Sequence, residues 1–209
     1  MTVSVPAAAD ALLKQRHIHP DRGNITRAMR NERTGHRSGV VWLTGLSGAG
    51  KSTLANAVEH ELFNRGWQIS VLDGDSVRAG LNSDLDFTPS AREENLRRAG
   101  QVAALFAEAG HLVLASFVSP HQRGREFVRK ILHHDFHLVY VKADIEHCIE
   151  RDPKGLYERA MQGGIEHFTG LGQSYEAPED ADLVIDTSRF DVTAGAQQLL
   201  EFVQTRFAL

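Results

Sequence analysis

The chain of 209 residues lacks the features that mark secreted, membrane-spanning and nucleic-acid-binding proteins. It contains one cysteine, Cys148, which excludes an internal disulfide framework and is typical of a reducing compartment. No apolar run approaches the roughly 20 residues of a membrane-spanning helix, and the start lacks the basic segment and apolar core of a secretory signal. The net charge of −4 is unlike the strongly basic surface of nucleic-acid-binding proteins. We therefore expect a cytoplasmic protein that binds neither membrane nor nucleic acid.

One glycine-rich segment fits the phosphate-binding loop pattern at every fixed position. It consists of Gly45, Leu46, Ser47, Gly48, Ala49, Gly50, Lys51, Ser52 and Thr53. Its main-chain N–H groups can surround phosphate oxygens, its lysine adds a positive charge, and the Ser52 hydroxyl is a suitable ligand for Mg²⁺. A strand is predicted before this loop and a helix over 52–65 after it, so the positive helix end faces the phosphates. The segment predicts a nucleotide site, but alone it does not separate a kinase from a GTPase or a motor protein.

The remaining pattern divides the chain into an arm and a body. Residues 1–38 are rich in arginine and have no persistent helical or strand period, and we interpret them as a partly mobile arm. The arm is either solvated or folded over the nucleotide site or a second subunit. From residue 39 to 209, apolar runs typical of buried strands alternate with helical patterns, which predicts one α/β domain with a mostly parallel five-stranded sheet covered on both faces. In such sheets ligands bind at the carboxyl ends of the strands.

Two carboxylates, Asp73 and Asp75, directly follow the second predicted strand. Phosphoryl transfer to an alcohol requires a metal ligand and a group that aligns the acceptor hydroxyl, and two carboxylates beside a phosphate loop suit both tasks. An ordinary strand-ending turn would explain the same residues. Ser119 ends the third strand, where it caps the next helix, contacts a phosphoryl oxygen or acts as a nucleophile.

Several arginines follow this carboxylate pair, and arginine is well suited to bidentate binding of phosphate or sulfate. Arg78, Arg92 and Asn95 are the ligand candidates, whereas later arginines fit a charged outer helix face. The helix that carries Arg92 and Asn95 is predicted to begin with a capping box formed by Ser90 and Glu93. A polar, glycine-containing segment over about 152–175 is typical of a lid that closes over phosphates and excludes water.

Taken in order, these motifs resemble adenylylsulfate kinase, a P-loop kinase family. The resemblance covers about residues 24–184 and rests on the following segments: Gly45 to Thr53, Leu72-Asp73-Gly74-Asp75-Ser76-Val77-Arg78, Asp86-Phe87, Arg92-Glu93-Glu94-Asn95, Phe117-Val118-Ser119-Pro120-His121, Arg151 to Tyr157, Phe168-Thr169-Gly170 and Tyr175-Glu176. It implies the three-layer P-loop NTPase fold. It also implies ATP-dependent phosphorylation of the 3′-hydroxyl of adenosine 5′-phosphosulfate (APS) in sulfate assimilation, which gives the 3′-phosphorylated product (PAPS) and ADP.

The resemblance also implies a role for each matching residue. The loop from Gly45 to Thr53 would bind ATP, and Ser52 and Asp73 would bind Mg²⁺. The catalytic residues would be Lys51, Asp73, Asp75 and Ser119. APS would be bound by Asp75, Arg78, Phe87, Arg92, Asn95, Val118, Ser119, Lys154 and Phe168, with the two phenylalanines on either face of its adenine. A phosphoserine at Ser119 is described for the family, although direct in-line transfer needs no covalent relay.

Other interpretations remain open at the level of sequence. The family suggests a homodimer, and association with an ATP sulfurylase is a further partner role. Gln122 and Gly172 depart from the usual family residues, and Arg123 or Arg125 could bind phosphate in place of the arginine that the family commonly has at position 122. A kinase for another small hydroxyl acceptor would share the loop and lid, and a nucleotide-binding module that tethers a partner would share the loop. A GTPase is disfavoured because no Asn-Lys-x-Asp motif occurs.

Overall fold

The computed structural model describes residues 23–133, 136–165 and 168–209, so most of the predicted arm, residues 1–22, lies outside the described residues. The helices are α1 (Arg27–Thr34), α2 (Lys51–Asn64), α3 (Gly74–Ala79), α4 (Pro89–Glu108), α5 (Gln122–Leu132), α6 (Ile145–Arg151), α7 (Leu156–Met161) and α8 (Val192–Phe207). The strands are β1 (Gly39–Thr44), β2 (Ile69–Asp73), β3 (Leu112–Ser116), β4 (Phe136–Lys142), β5 (Phe168–Thr169), β6 (Gly172–Gln173) and β7 (Leu183–Asp186).

Five strands form the central sheet, in the order β2-β3-β1-β4-β7, and every neighbouring pair is parallel. β1 lies in the middle, where Val41 is opposite Leu114 of β3 and His137 of β4. The predicted five-stranded parallel sheet is confirmed. β5 and β6 form a separate two-stranded sheet within the predicted lid.

The sheet is covered on both faces because alternate residues of its central strand are buried against different helices. Val41 and Leu43 of β1 pack in one hydrophobic cluster with residues of α2 and α8. Val40 and Trp42 pack in a second cluster with residues of α4 and α5. All six residues of β1 are buried, as expected for the central strand of a parallel sheet. This rigid layer fixes the positions of the loops at its carboxyl edge.

Although residues 1–38 have no persistent helical period in the sequence, the structure forms helix α1 within them. Thr26 caps this helix, since its side chain accepts a hydrogen bond from the N–H of Met29, and Gly35 ends it with φ 72°. The Arg27 side chain donates hydrogen bonds to the hydroxyl and the carbonyl oxygen of Ser38, which is buried. None of its eight residues is buried, so this helix is held by its caps and tertiary contacts, which a search for apolar residues in the sequence does not detect.

The predicted capping box at the start of α4 is also wrong. Thr88 is the capping residue, and its hydroxyl accepts a hydrogen bond from the N–H of Ala91. The hydroxyl of Thr88 donates in turn to the Asp86 carboxylate at 2.6 Å, which places the capping oxygen. The helix therefore begins earlier than a cap at Ser90 would require. Within the described ranges, every helix is too short or too polar to cross a lipid bilayer.

Candidate active site

The loops at the carboxyl edge of the sheet enclose a cavity of about 1220 Å³. β1, β3 and β2 are neighbours, so the phosphate loop, the segment after Ser116 and the segment after Asp73 meet at this edge. The predicted residues that line the cavity are Ser47, Gly48, Gly50, Lys51, Ser52, Thr53, Asp73, Asp75, Arg78, Phe87, Arg92, Asn95, Val118, Ser119, Lys154 and Phe168. Gly45, Leu46 and Ala49 of the predicted set do not line it.

The phosphate loop runs from the end of β1 to the start of α2 and needs glycine at two close approaches. A side chain at Gly45 would put its Cβ 2.2 Å from the carbonyl oxygen of Val141. At Gly48, where φ is +75°, a Cβ would lie 2.9 Å from the carbonyl oxygen of Cys148. Both contacts are with main-chain atoms of β4 and α6. The loop therefore packs directly against these two elements, which fix its shape before a ligand binds.

Lys51 is the cation of this loop, and it is only 8% exposed. Its ammonium group donates to the carbonyl oxygens of Gly45 at 3.0 Å and Leu46 at 2.7 Å. Burial lowers the pKa of Lys51 to about 8, against the attraction of Cys148 and Asp73, which raises it. This ammonium group is weakly hydrated and lies at the N-terminus of α2, so it attracts phosphate oxygens strongly.

Ser52 and Asp73 provide oxygen atoms next to the phosphate loop. The Ser52 hydroxyl donates to Asp73 Oδ2 at 2.5 Å, and it also lies 3.2 Å from the Ser116 hydroxyl. The other carboxylate oxygen of Asp73 accepts from the N–H of Asp75 at 3.0 Å and so caps α3. This capping contact fixes the carboxylate, so that its second oxygen stays beside Ser52. Hydroxyl and carboxylate oxygens form the kind of donor set that Mg²⁺ prefers.

Asp75 lies two residues further along, at the border between the phosphate loop and the opposite end of the cavity. Its carboxylate accepts a hydrogen bond from the ammonium group of Lys154, which comes from the predicted lid. This ion pair raises the pKa of Lys154. The structure therefore brings together the carboxylate and the lid lysine, which are separated by 79 positions in the sequence.

Arginine and phenylalanine side chains line the end of the cavity opposite the phosphate loop. The guanidinium carbon of Arg78 lies 4.4 Å from the centre of the Phe87 ring, and that of Arg92 lies 5.8 Å from it. Arg92 also donates to the carbonyl oxygen of Phe87 at 2.9 Å. Partial burial lowers the pKa of both guanidinium groups, although they remain charged at any physiological pH. The Phe87 ring is 55% exposed, so one aromatic surface is available for a flat ligand.

Ser119 lies in the cavity wall but its hydroxyl is engaged within the protein. It accepts from the indole N–H of Trp42 at 3.1 Å and donates to the hydroxyl of Thr44 at 2.9 Å, and Ser119 is 3% exposed. Its φ of 36° is unusual for a residue with a side chain. The residue before it, Val118, accepts a hydrogen bond from the same Thr44 hydroxyl at 2.7 Å through its carbonyl oxygen. These contacts hold the turn in place and give no support to a nucleophilic serine.

The predicted lid contacts both ends of the cavity. The Tyr157 hydroxyl donates to the carbonyl oxygen of Ser47 in the phosphate loop at 2.9 Å. The Arg92 guanidinium donates to the hydroxyl of Thr169 in the lid at 3.2 Å. Phe168 packs edge-on against Tyr157, with ring centres 4.9 Å apart. The lid therefore links the phosphate loop to the arginine-lined end through side chains of α4, α7 and β5.

Arg151 and Thr187 are among the cavity residues that the sequence did not assign to the site. Arg151 donates to the carbonyl oxygen of Thr187 at 2.6 Å, and the Thr187 hydroxyl donates to the carbonyl oxygen of Ala49 at 3.0 Å. Thr187 follows β7 directly, so the rule that ligands bind at the carboxyl ends of strands would have identified it. Arg151 begins one of the segments that carry the family resemblance, but only the fold places the end of α6 beside β7.

Neither arginine near Gln122 takes the position of a phosphate ligand. Arg125 is 3% exposed and donates to the carbonyl oxygens of Ser119 at 2.9 Å and Glu176 at 2.8 Å. The Arg123 side chain is 86% exposed and lies 3.9 Å from a Glu93 carboxylate oxygen. Arg125 thus joins the Ser119 turn to the end of the lid.

Comparisons with known proteins show which family this chain is similar to in sequence and in fold. A family model described as adenylylsulphate kinase matches residues 37–186. An adenylyl-sulfate kinase of Bacillus pumilus is 46% identical over 195 residues, which cover 93% of this chain and 99% of the relative.

Solved structures agree with the sequence relatives. The structure of the Mycobacterium tuberculosis APS kinase CysC in complex with AMPPNP and APS is similar with a TM-score of 0.77 and 42% identity, over 80% of this chain and 98% of that one. A hexameric APS kinase from Thiobacillus denitrificans matches with a TM-score of 0.62 and 29% identity, over 86% of this chain and 32% of that one. The chain therefore belongs to the adenylylsulphate kinase family.

Proposed function

We propose that this protein transfers the terminal phosphoryl group of ATP to the 3′-hydroxyl of APS and releases PAPS and ADP. The observation that carries the proposal is a single cavity that has a phosphate loop at one end and an arginine- and phenylalanine-lined wall at the other. Asp73 and Asp75 lie between the two ends. A kinase needs this arrangement when its acceptor is itself an anionic nucleotide.

At the ATP end, the chain supplies positioning and positive charge. The main-chain N–H groups of the loop and the Lys51 ammonium group would hold the phosphates, as the N-terminus of α2 does through its dipole. Ser52 and Asp73 fit Mg²⁺ because a hydroxyl and a carboxylate oxygen lie side by side next to the loop; Mg²⁺ would replace the hydrogen bond between them, and phosphate oxygens would complete a hard-cation site. When bound, Mg²⁺ neutralises charge on the phosphate oxygens.

At the acceptor end, Asp75 is the group we assign to the 3′-hydroxyl. A carboxylate that accepts a hydrogen bond from this hydroxyl aligns its oxygen with the phosphorus atom and takes its proton as the new O–P bond forms. Lys154, which pairs with Asp75, places a second cation at the boundary where negative charge accumulates. Arg78 and Arg92 would bind the phosphosulfate, and Phe87 and Phe168 would contact the adenine.

A coupled assay of ADP release tests the proposal. With ATP and Mg²⁺ present, we expect turnover that depends on added APS, and detection of PAPS as the product. The same assay with adenosine 5′-monophosphate, a sugar and a nucleoside as acceptors tests the competing possibility of another hydroxyl acceptor. A folded sample that binds ATP but shows no turnover dependent on APS would contradict the proposal.

The quaternary structure is a separate part of the proposal. We propose a homodimer on the basis of the family resemblance, with association with an ATP sulfurylase as an additional partner role. Light scattering coupled to gel filtration measures the mass of the assembly directly. A mass equal to one chain of 23.1 kDa, or to a higher oligomer, would contradict the dimer.

A further inference from the structure

Asn82 forms a buried side-chain contact with Asn95, one of the residues that line the cavity. Its Nδ2 atom donates to Asn95 Oδ1 at 2.9 Å and lies 3.5 Å from the carbonyl oxygen of Asn95. Asn82 is fully buried and does not line the cavity, whereas Asn95 is 6% exposed and does. The pair therefore connects a residue behind the cavity wall with a residue in it.

The main chain holds Asn82 at a fixed position. Its N–H donates to the carbonyl oxygen of Val77 in α3 at 2.9 Å, and its own carbonyl oxygen accepts from the N–H of Leu85 at 3.0 Å. α3 follows Asp73 directly and contains Asp75 and Arg78. Asn82 thus ties the segment that contains the carboxylates and Arg78 to α4, which contains Arg92 and Asn95.

The contact determines which atom Asn95 presents to the cavity. An asparagine amide has its oxygen and its nitrogen on opposite sides of one carbon atom. Because Asn95 Oδ1 is held by Asn82, the Nδ2 group with its two hydrogens is directed away from Asn82. The side chain of Asn95 is then a donor toward the cavity, like those of Arg78 and Arg92.

An asparagine at position 82 lowers the folding stability, which is unexplained unless its amide serves to orient Asn95. Within the part of the chain that the structure describes, the buried Oδ1 of Asn82 has no hydrogen-bond partner. A buried polar atom without a partner costs folding free energy, and an apolar side chain would avoid that cost. The one side-chain contact that accounts for an amide at this position is the one that orients Asn95.

We propose that Asn82 is a positioning residue that fixes the amide of Asn95 so that Asn95 presents its Nδ2 donor group to the acceptor end of the cavity. A fixed donor beside Arg78 and Arg92 favours an acceptor that is rich in anionic or lone-pair oxygens, such as a nucleotide with a phosphosulfate group. The inference rests on the proposed function, because it assigns this wall to APS. It predicts that Asn82 acts on acceptor binding without touching the acceptor.

A double-mutant cycle tests the inference with Asn82→Ala, Asn95→Ala and the double variant. Loss of one oriented hydrogen bond is expected to raise the KM for APS about tenfold in each single variant, with the KM for ATP unchanged. Because Asn82 acts through Asn95, the double variant should be no worse than Asn95→Ala. Asn64→Ala, a change at an exposed position at the end of α2, is the matched control and should leave both KM values unchanged.

Two isosteric variants keep the test decisive if alanine at position 82 prevents folding. Asn82→Asp places a carboxylate oxygen against Asn95 Oδ1, so the Asn95 amide must turn its donor toward the new carboxylate and the KM for APS should rise. Asn95→Asp keeps the contact with Asn82 but replaces the donor by an acceptor, and should be at least as damaging as Asn95→Ala. Multiplicative effects in the double variant, or equal changes in both KM values, would overturn the inference.

The design separates this inference from the proposed function. If the wild-type protein binds APS but does not turn it over, the proposed reaction is wrong, and the same cycle is measured as APS dissociation constants by calorimetry. Coupling between Asn82 and Asn95 in those constants would still support the positioning role. If the wild-type protein does not bind APS, both the proposed function and the inference are overturned.

Discussion

The side chains between the two ends of the cavity have different partners even though they are close in the sequence. Asp73 contacts Ser52 and caps α3, whereas Asp75 pairs with Lys154 of the lid. On the basis of these partners we propose that Asp73 acts at the metal and phosphate end and Asp75 at the acceptor end. The division follows from the turn at the start of α3, which directs the two carboxylates in different directions.

Replacement of Asp75 by asparagine tests the proposal that this carboxylate aligns the acceptor hydroxyl. Asp75→Asn keeps the shape but cannot accept a proton, so kcat should fall by about 10²- to 10⁴-fold, the range for loss of a general base. The dissociation constant for ATP should change little, because the Asp75 carboxylate is bonded to Lys154 of the lid and not to the phosphate loop. Asp84→Asn, which alters an exposed carboxylate paired with Arg98, is the control. Full turnover by Asp75→Asn would show that this carboxylate is not the aligning group.

Phe87 should matter for the acceptor and not for ATP. Phe87→Ala removes the exposed ring that lies beside Arg78 and Arg92, and loss of base stacking is expected to raise the KM for APS about tenfold. The KM for ATP should be unaffected, and steady-state kinetics with each substrate varied separately provides the measurement. Phe63→Ala removes a ring that is 68% exposed on α2 and serves as the control. An equal rise in both KM values would argue against an adenine site at Phe87.

At the scale of elements, the lid contacts the phosphate loop through α7. Asp152 caps this helix by accepting from the N–H groups of Leu156 at 2.8 Å and Glu158 at 3.0 Å. Tyr157 in the first turn is 1% exposed, and its hydroxyl reaches Ser47 in the loop. The cap and the tyrosine therefore place the lid against the residues assigned to ATP.

Tyr157→Phe removes the hydrogen bonds of the hydroxyl to Ser47 and Cys148 and keeps the ring that packs on Phe168. Without the hydrogen bond to Ser47, the closed lid should be less stable by about 1 kcal/mol, the usual net value of a hydrogen bond. We expect the KM for ATP to rise about fivefold and hydrogen exchange of residues 156–161 to become faster. Tyr140→Phe, a change in β4, is the matched control. Unchanged exchange in the lid would indicate that the Tyr157 hydroxyl does not hold it.

At the scale of the whole molecule, His36 joins three parts of the chain at the edge of the sheet opposite the cavity. Its Nε2 atom accepts from the N–H of Gln68 at 2.9 Å, and its Nδ1 lies 2.9 Å from the carbonyl oxygen of Arg37. The ring stacks on Trp67 at 4.7 Å, and His36 pairs with Ala208 in a β-bridge. These contacts require the neutral ring with its proton on Nδ1, since a proton on Nε2 would face another N–H group.

Acid should therefore destabilise the protein through His36. Burial lowers the pKa of His36 below its ordinary value of 6.5, so the unfolded chain takes up this proton at a higher pH than the folded chain. The contribution of the neutral ring to stability is complete above pH 6.5 and declines as the pH falls below it. Urea unfolding should give a smaller free energy of unfolding at about pH 5.5 than at about pH 7.5.

Variants identify which histidine is responsible for this pH dependence. His36→Gln should lower stability at neutral pH and reduce the difference between the two pH values. The nearby His111, whose pKa is also lowered by burial and by His36, should contribute in the same direction. His60→Gln, on α2, should leave the difference unchanged. A wild-type protein equally stable at both pH values would contradict the role of His36.

The sequence by itself predicted the parallel sheet, the phosphate loop and the paired carboxylates. Each of these features is encoded by residues that are neighbours in the sequence. An apolar run encodes a buried strand, and glycines encode the loop because Gly45 and Gly48 lie too close to other main-chain atoms for a side chain. The roles of Arg78, Arg92 and Phe87 came from the family resemblance, and their closeness to one another is a property of the folded chain.

The tertiary structure alone decided the remaining features, because they depend on contacts between distant segments. Asn82 meets Asn95, Arg151 meets Thr187 and Asp75 meets Lys154 only after the sheet has placed their loops at one edge. The same is true of α1, whose eight residues have no buried member and are held by caps and by Ser38. Local patterns specify strands, helices and ligand loops, whereas the packing of the whole chain specifies which side chains meet and therefore how the site is oriented.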